Sequence, residues 1–113
     1  MRKKSLSEWF PYMPPEYEPL AAIIYRAVFG DLPLSAWSKE GTSITRYVNG
    51  KRLSFAPRRT HCTIAFRGHA AIEFYRFLGG DCPVGEVTIK IPYENEWEAV
   101  PVKKTIEWYL HSS

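Results

Sequence analysis

Residues 43–56 read SITRYVNGKRLSFA, two β-type segments on either side of Asn49 and Gly50. The Asn-Gly pair is the strongest short-range hairpin signal, because both residues tolerate the positive φ angles of a two-residue type I′ turn. A two-residue loop also fixes the register of the strands, so that Ile44 faces Phe55. This stretch therefore predicts an antiparallel hairpin in the middle of the chain.

The two faces of this hairpin differ in polarity, because successive residues of a strand point to opposite sides. An apolar face gathers Ile44, Val48, Leu53 and Phe55, and a polar face gathers Thr45, Tyr47, Arg52 and Ser54. This alternation is typical of an antiparallel sheet with one buried side and one open side. Arg46 is the exception on the apolar face. We expect it either to keep its charged end in water at the sheet edge or to bind a buried carboxylate.

Further elements are predicted on both sides of the hairpin. Apolar residues at helical spacing indicate helices over 17–29, 69–78 and about 101–111. β-type runs indicate two more strands, over 61–67 and 86–91. The predicted buried stripe of the first helix consists of Leu20, Ile23, Ile24, Ala27 and Val28.

The length and composition of the chain fit one domain. Its 113 residues are 45% apolar and 15% aromatic, and folding of a chain of this size buries roughly two-thirds of its extended surface. We predict an α+β fold, a two-layer sandwich in which N-terminal, middle and C-terminal helices pack on an antiparallel sheet. The domain is expected to cover residues 16–113. Residues 1–15 are rich in proline and aromatic side chains, and they are expected to form an irregular arm that packs on the domain or on another subunit.

The net charge and the cysteine content indicate which binding partners and which cellular compartment to expect. A net charge of +3 is mild, whereas dedicated nucleic-acid-binding domains concentrate far more positive charge on one surface. Nucleic acid is therefore not expected as the main partner. The basic N-terminus lacks the apolar segment of about 7–15 residues of a signal peptide, and no apolar run is long enough to span a membrane. With two cysteines, Cys62 and Cys82, the sequence favours a reduced cytoplasmic protein that does not bind membranes.

His61 and Cys62 are adjacent residues of types that bind metals or act in catalysis. Strand geometry places their side chains on opposite faces of the sheet. Adjacent strand residues point to opposite faces, so the two side chains cannot bind one metal ion together. Cys62 is expected to lie inward with Ile64 as a small buried residue. His61 is expected to point outward with Arg67.

The outward residues of the strand over 61–67 are predicted to extend the polar face of the hairpin. The candidate ligand-binding residues are Tyr47, Arg52, His61, Arg67 and Trp37. Arginine and histidine side chains favour an anionic ligand or a phosphate, and an aromatic ring favours a stacked single strand. The alternatives are that helices or the arm cover this face, or that it is simply hydrated.

A second candidate site is acidic. Glu94, Glu96 and Glu98 offer carboxylates to a hard cation, and His69 with Glu73 lies one helical turn apart as metal ligands can. A hydrated acidic loop and an exposed charge pair are the alternatives. The sequence contains no GxSxG, HExxH, P-loop, GxGxxG or CxxC pattern, so we expect a binding protein and not an enzyme.

Several landmarks occur in a characteristic order between residues 16 and 111. They are Trp37, the turn with Tyr47 and Asn49-Gly50-Lys51, the strand start at Arg59-Thr60-His61, and the segment TIKIP at 88–92. In this order the chain resembles the YdhG-like family of small bacterial domains, many of unknown function. The resemblance implies an α+β sandwich. Because some members are described as frataxin-like intracellular iron chaperones, it also implies iron as a possible bound metal.

The sequence therefore suggests two possible functions. The first is a non-enzymatic binding or accessory domain without a cofactor, whose small ligand or protein partner contacts the polar face. The second is a frataxin-like iron-binding chaperone that uses Glu94, Glu96 and Glu98 with His69 or His61. The chain is expected to be a monomer or a homodimer, with apolar surface for a dimer offered by Trp97, Trp108 and Tyr109.

Overall fold

A five-stranded antiparallel sheet carries the fold. A computed structural model of the chain describes Phe10 and residues 13–111, apart from the side chain of Glu96. The strands lie in the sheet in their order along the chain. They are β1 (Ser38–Glu40), β2 (Ser43–Val48), β3 (Lys51–Pro57), β4 (His61–Ala65) and β5 (Thr88–Pro92).

The central hairpin of β2 and β3 has the predicted register. Ile44 lies opposite Phe55 and Tyr47 lies opposite Arg52. The turn residues Asn49 and Gly50 have φ angles of 53° and 76°, the positive values that a type I′ turn requires. Local turn chemistry therefore fixes which side chains share a face.

Three α-helices in the described part of the chain cover the apolar face of the sheet. They are α1 (Glu18–Phe29), α2 (Ala70–Phe77) and α3 (Ala99–His111). From α1, Phe29 packs edge-on against Phe55 at a centroid distance of 5.5 Å. From α3, Tyr109 packs against Phe66 at 5.0 Å. The predicted two-layer α+β fold is confirmed, and the radius of gyration of 13.2 Å matches the value of about 13 Å for one domain of this length.

The buried stripe of α1 differs from the predicted one. Its buried residues are Ala21, Ile24, Tyr25 and Val28. Ile23 is instead 50% exposed. The predicted burial is confirmed for Ile24 and Val28, whereas it is wrong for Ile23 and Ala27, because the helix turns Tyr25 inward.

Part of the N-terminal arm belongs to the core. Phe10 and Met13 are buried, and the Phe10 ring packs edge-on against Phe55 at 6.3 Å. Packing of the arm on the domain is confirmed for these two residues. Trp9 and Tyr12, which the same prediction includes, lie outside the described residues.

Two further segments differ from the prediction. The short edge strand β1 was not predicted. The segment Tyr93–Glu98, predicted as a loop, is 3₁₀-helical on either side of Asn95, where φ is −118° and ψ is 44°.

Of the three aromatic residues proposed for a dimer surface, Trp97 and Trp108 are exposed to 62% and 36%, but Tyr109 is buried. Among the described residues, no helix has both the length and the apolar composition needed to cross a membrane.

Candidate functional site

The polar face of the sheet points away from the three helices. Antiparallel pairing places residues of neighbouring strands side by side, so the pairs Thr45–Ser54 and Ala56–Thr63 lie on the same face. The polar face also includes residues from the outer strands β1 and β5. Its members are Ser38, Glu40, Ser43, Thr45, Tyr47, Arg52, Ser54, Ala56, His61, Thr63, Ala65, Thr88, Lys90 and Pro92.

Small residues at the centre of the polar face leave a groove between longer side chains. Thr45 and Ser54 are buried and share a hydrogen bond of 2.9 Å between their hydroxyls. Beside them lies a depression of about 160 Å³, which we call the polar groove. Its lining consists of Ser43, Arg52, Ser54, Phe55, Ala56, Arg58, Thr63, Ala65 and Thr88.

Two arginines reach the polar groove from opposite ends of β3. Arg52 forms an ion pair with Glu40 at 3.4 Å, and both side chains are more than 40% exposed. Arg58 donates a hydrogen bond of 2.7 Å to the Thr42 hydroxyl. Exposed ion pairs contribute only about 0–1 kcal/mol to stability, so an anion in the groove can displace Glu40 from Arg52.

A second depression lies at the end of the sheet and shares Arg58 with the groove, although its Lys39 and Pro57 project to the apolar face. We call it the basic pocket; its volume is about 250 Å³. Its lining consists of Phe10, Lys39, Gly41, Thr42, Pro57, Arg58 and Arg59. Burial lowers the pKa of Lys39, and the positive charge of Arg58 lowers it further. The described lining contains three cationic side chains, Lys39, Arg58 and Arg59, and no carboxylate, so this end of the sheet is more strongly positive than the net charge of the chain suggests.

His61 lies at the same end of the polar face. Its Nδ1 is 3.0 Å from the Thr60 hydroxyl. Burial lowers the pKa of His61, and the charges of Lys90 and Arg58 lower it further. The imidazole is therefore neutral at pH 7, and its protonation is opposed by the same cations that would attract an anion.

The stability of the protein should fall in acid partly because of His61. An unfolded histidine takes up a proton near pH 6.5, whereas folded His61 does so only at lower pH. Below about pH 6.5 the unfolded state therefore binds more protons, and acid favours unfolding. The free energy of unfolding, measured with urea between about pH 5 and 8, should fall less in His61→Gln than in the wild type.

His61→Asn, which also removes the imidazole, provides a second variant for this experiment. It should lose as little stability in acid as His61→Gln does. If His61→Gln and the wild type lose equal stability in acid, His61 is not held neutral by its surroundings.

The structure brings together some of the predicted ligand-binding residues. Tyr47 is 64% exposed and lies opposite Arg52. Arg67 is exposed just beyond the end of β4; its backbone N–H donates to the Tyr109 hydroxyl, which in turn donates to the Arg52 carbonyl. His61 lies at the opposite end, beside Arg58. Tyr47, Arg52 and His61 thus share one face, with Arg67 at its border.

Trp37 does not belong to the polar face, and its predicted position there is wrong. The side chain is only 5% exposed. Its indole N–H donates a hydrogen bond of 2.9 Å to the Tyr25 hydroxyl, and its ring packs edge-on against Phe29 at 5.0 Å. Trp37 is a core residue under the helices.

The residues of the predicted acidic site come from two elements, with His69 before α2 and the glutamates in the segment Tyr93–Glu98. Within the described part of the chain, no group of three or more His, Cys, Asp or Glu side chains is placed to hold a metal ion. His69 has its Nδ1 3.0 Å from the Glu86 carbonyl. Glu94 is exposed and Glu98 half-buried, while the Glu96 side chain lies outside the description.

Cys62 points to the core and not to the polar face, as strand alternation predicts. The thiol is fully buried, and burial raises its pKa to about 12. Cys82 is also a buried free thiol. His61 and Cys62 therefore have separate surroundings on opposite sides of the sheet.

The sequence-based site omitted Arg58, Thr63 and Thr88, which line the polar groove. The alternation along β3 contained the signal for Arg58, since every second residue from Arg52 onward shares its face. Pro57 obscured this continuation, because proline usually ends a strand.

Comparison with protein-family models, with curated proteins and with solved structures finds no match to this chain. The resemblance to the YdhG-like family therefore stays a prediction.

Proposed function

We propose that this protein is a binding module whose polar face takes up a small phosphorylated ligand. The observation that carries the proposal is the polar groove, whose lining includes the two arginines Arg52 and Arg58 together with the hydroxyl residues Ser54 and Thr63. Guanidinium groups bind phosphate through two parallel hydrogen bonds, and hydroxyls supply further donors.

The sizes of the two depressions support a ligand with two parts, one in each depression. The polar groove, at about 160 Å³, suits an anionic group, and the basic pocket, at about 250 Å³, adds room beside Arg58. Pockets for complete small ligands usually measure about 300–1,000 Å³. A ligand that places its phosphate at Arg58 and extends into both depressions makes use of the full site.

The groove lining favours binding over catalysis. Its described residues include neither a carboxylate nor a histidine that would activate a nucleophile. The Ser54 hydroxyl is already hydrogen-bonded to Thr45. We further propose that the protein works in a reducing cytoplasm, which agrees with the two free thiols.

Arg58→Ala should weaken the binding of inorganic pyrophosphate and of a nucleoside monophosphate by roughly 10- to 100-fold. This is the loss expected when a charge-assisted hydrogen bond of about 1.5–3 kcal/mol is removed. Isothermal titration calorimetry at fixed, low salt provides the measurement. The combined change of Tyr47→Ala and Arg52→Ala should also reduce affinity.

Arg26→Ala is the matched control, because Arg26 is exposed on α1 and lies outside the groove. It should bind both phosphates as the wild type does. Thermal unfolding should show that Arg58→Ala remains folded, since the Arg58 side chain is exposed. Equal affinity in Arg58→Ala and Arg26→Ala, or no measurable binding by the wild type, would rule out this site.

A further inference from the structure

A separate, solvent-open depression lies on the apolar side, between the end of α1, the hairpin and α3. Its volume is about 340 Å³, within the range of small-molecule sites. We call it the hairpin cavity. Most of its wall is apolar, with side chains that include Val28, Phe29, Val48, Leu53, Ile106 and Leu110.

Arg46 places a positive charge in this apolar wall. The side chain is half-buried, with its guanidinium carbon 5.9 Å from the centre of the Trp37 ring. The Nε atom is buried and has no hydrogen-bond acceptor among the described residues. Of the two sequence-based expectations for Arg46, a bond to a buried carboxylate is not found among the described residues, and the guanidinium lies over the Trp37 ring instead.

A buried donor without an acceptor is costly, and nearly all such groups in proteins are satisfied. Arg46 has the fork of N–H donors that fits a carboxylate. Nε itself has almost no accessible surface, so a ligand in the cavity would meet the outer guanidinium nitrogens of Arg46, which lines the wall, and would reach Nε only if the side chain shifts.

The remaining charges of the cavity are consistent with a singly charged anion. Lys103 and Glu107 both line it and lie one helical turn apart on α3. Because their charges are opposite, they offset each other, and Arg46 leaves the wall with a net charge of +1. A cationic ligand would be repelled, and a neutral one would leave Arg46 unpaired.

We propose that the hairpin cavity binds an amphiphilic monocarboxylate, a medium-chain acyl or aromatic acid. Its carboxylate accepts hydrogen bonds from Arg46, and its apolar body lies between α1 and the hairpin. This site is independent of the phosphate site, because Arg46 and Arg52 project from opposite faces of the sheet.

Three ten-carbon compounds with the same apolar body separate charge from hydrophobicity. Decanoate, decanol and decylamine are titrated below their aggregation limits into ¹⁵N-labelled protein. Decanoate should bind at least about 10-fold more tightly than decanol, the ratio expected for one charge-assisted hydrogen bond. Its shifts in ¹H–¹⁵N spectra should concentrate at Val48, Leu53 and Ile106.

Arg46→Met keeps the apolar stem and removes the charge. In this variant decanoate should lose its advantage, while decanol binds as before. Arg46→Lys, which keeps a charge, provides a second variant with partial affinity, and Arg26→Met on α1 is the control with wild-type behaviour. The spectra of each free variant report whether it is folded.

The proposal is overturned if decanoate and decanol bind wild-type protein equally, or if neither binds. It is also overturned if Arg46→Met keeps the preference for decanoate, or if the shifts fall on the polar face. Phosphate binding by Arg46→Met should equal that of the wild type, so failure here is distinct from failure of the phosphate site.

Discussion

Replacement of Phe55 by alanine should destabilise the protein by about 3–5 kcal/mol. The ring is fully buried, and three other rings surround it. Their centroids lie at 5.4 Å for Tyr25, 5.5 Å for Phe29 and 6.3 Å for Phe10. The change removes a large apolar side chain and leaves a cavity between helix and sheet that rigid neighbours fill only in part. Urea unfolding measures the loss as a fall in the midpoint at unchanged slope.

Phe77→Ala is the control, because it removes the same atoms from a residue that is 83% exposed. Its effect should stay within about 0.5 kcal/mol. The free energy of unfolding of typical domains is only about 5–15 kcal/mol, so Phe55→Ala should remove a large fraction of it. A loss below about 1 kcal/mol would contradict the packing of α1 on β3.

The hairpin was predictable because its determinants are local. Asn49 and Gly50 fix the turn, and the turn fixes every pairing between β2 and β3. The distribution of Tyr47 and Arg52 to one face and Phe55 to the other follows directly. No information about distant residues is needed for this part of the fold.

The orientation of α1 was not predictable to the residue, because it depends on a distant partner. Tyr25 turns inward, where its hydroxyl accepts a hydrogen bond from Trp37 and donates one of 2.6 Å to the Leu32 carbonyl. The apolar pattern of this helix allows either Ile23 or Tyr25 to face the sheet. Tertiary hydrogen bonds decide the choice.

The sequence predicted the site residues that lie on the predicted strands, but it did not predict the position of Trp37 or the contribution of strand β1. Tyr47, Arg52 and His61 follow from alternation alone. Trp37 was misplaced because an aromatic residue before a short polar strand has no periodic signal that shows its direction. The pairing of Arg52 with Glu40 needed β1, and the segment SKE of that strand has no apolar residue to reveal it.

Gly80→Ala should cost about 3 kcal/mol, at the upper end of the effects of overpacking. An added Cβ atom would overlap the Cε1 and Cζ atoms of Tyr75, far inside their contact distance. The Tyr75 ring cannot move aside easily, because it is fully buried and its hydroxyl accepts a hydrogen bond of 2.9 Å from the Cys82 backbone. The clash must therefore displace the turn after α2, and urea unfolding should report the loss.

Gly79→Ala separates this clash from the general effect of replacing a glycine. Gly79 has a φ angle of +84° and open space where its Cβ would lie, so alanine there suffers only left-handed backbone strain of about 1–2 kcal/mol. Combining Gly80→Ala with Tyr75→Leu should cost less than the sum of the single changes, because the smaller side chain relieves the clash. Additive losses, or a greater loss for Gly79→Ala than for Gly80→Ala, would show that the ring of Tyr75 does not restrict this turn.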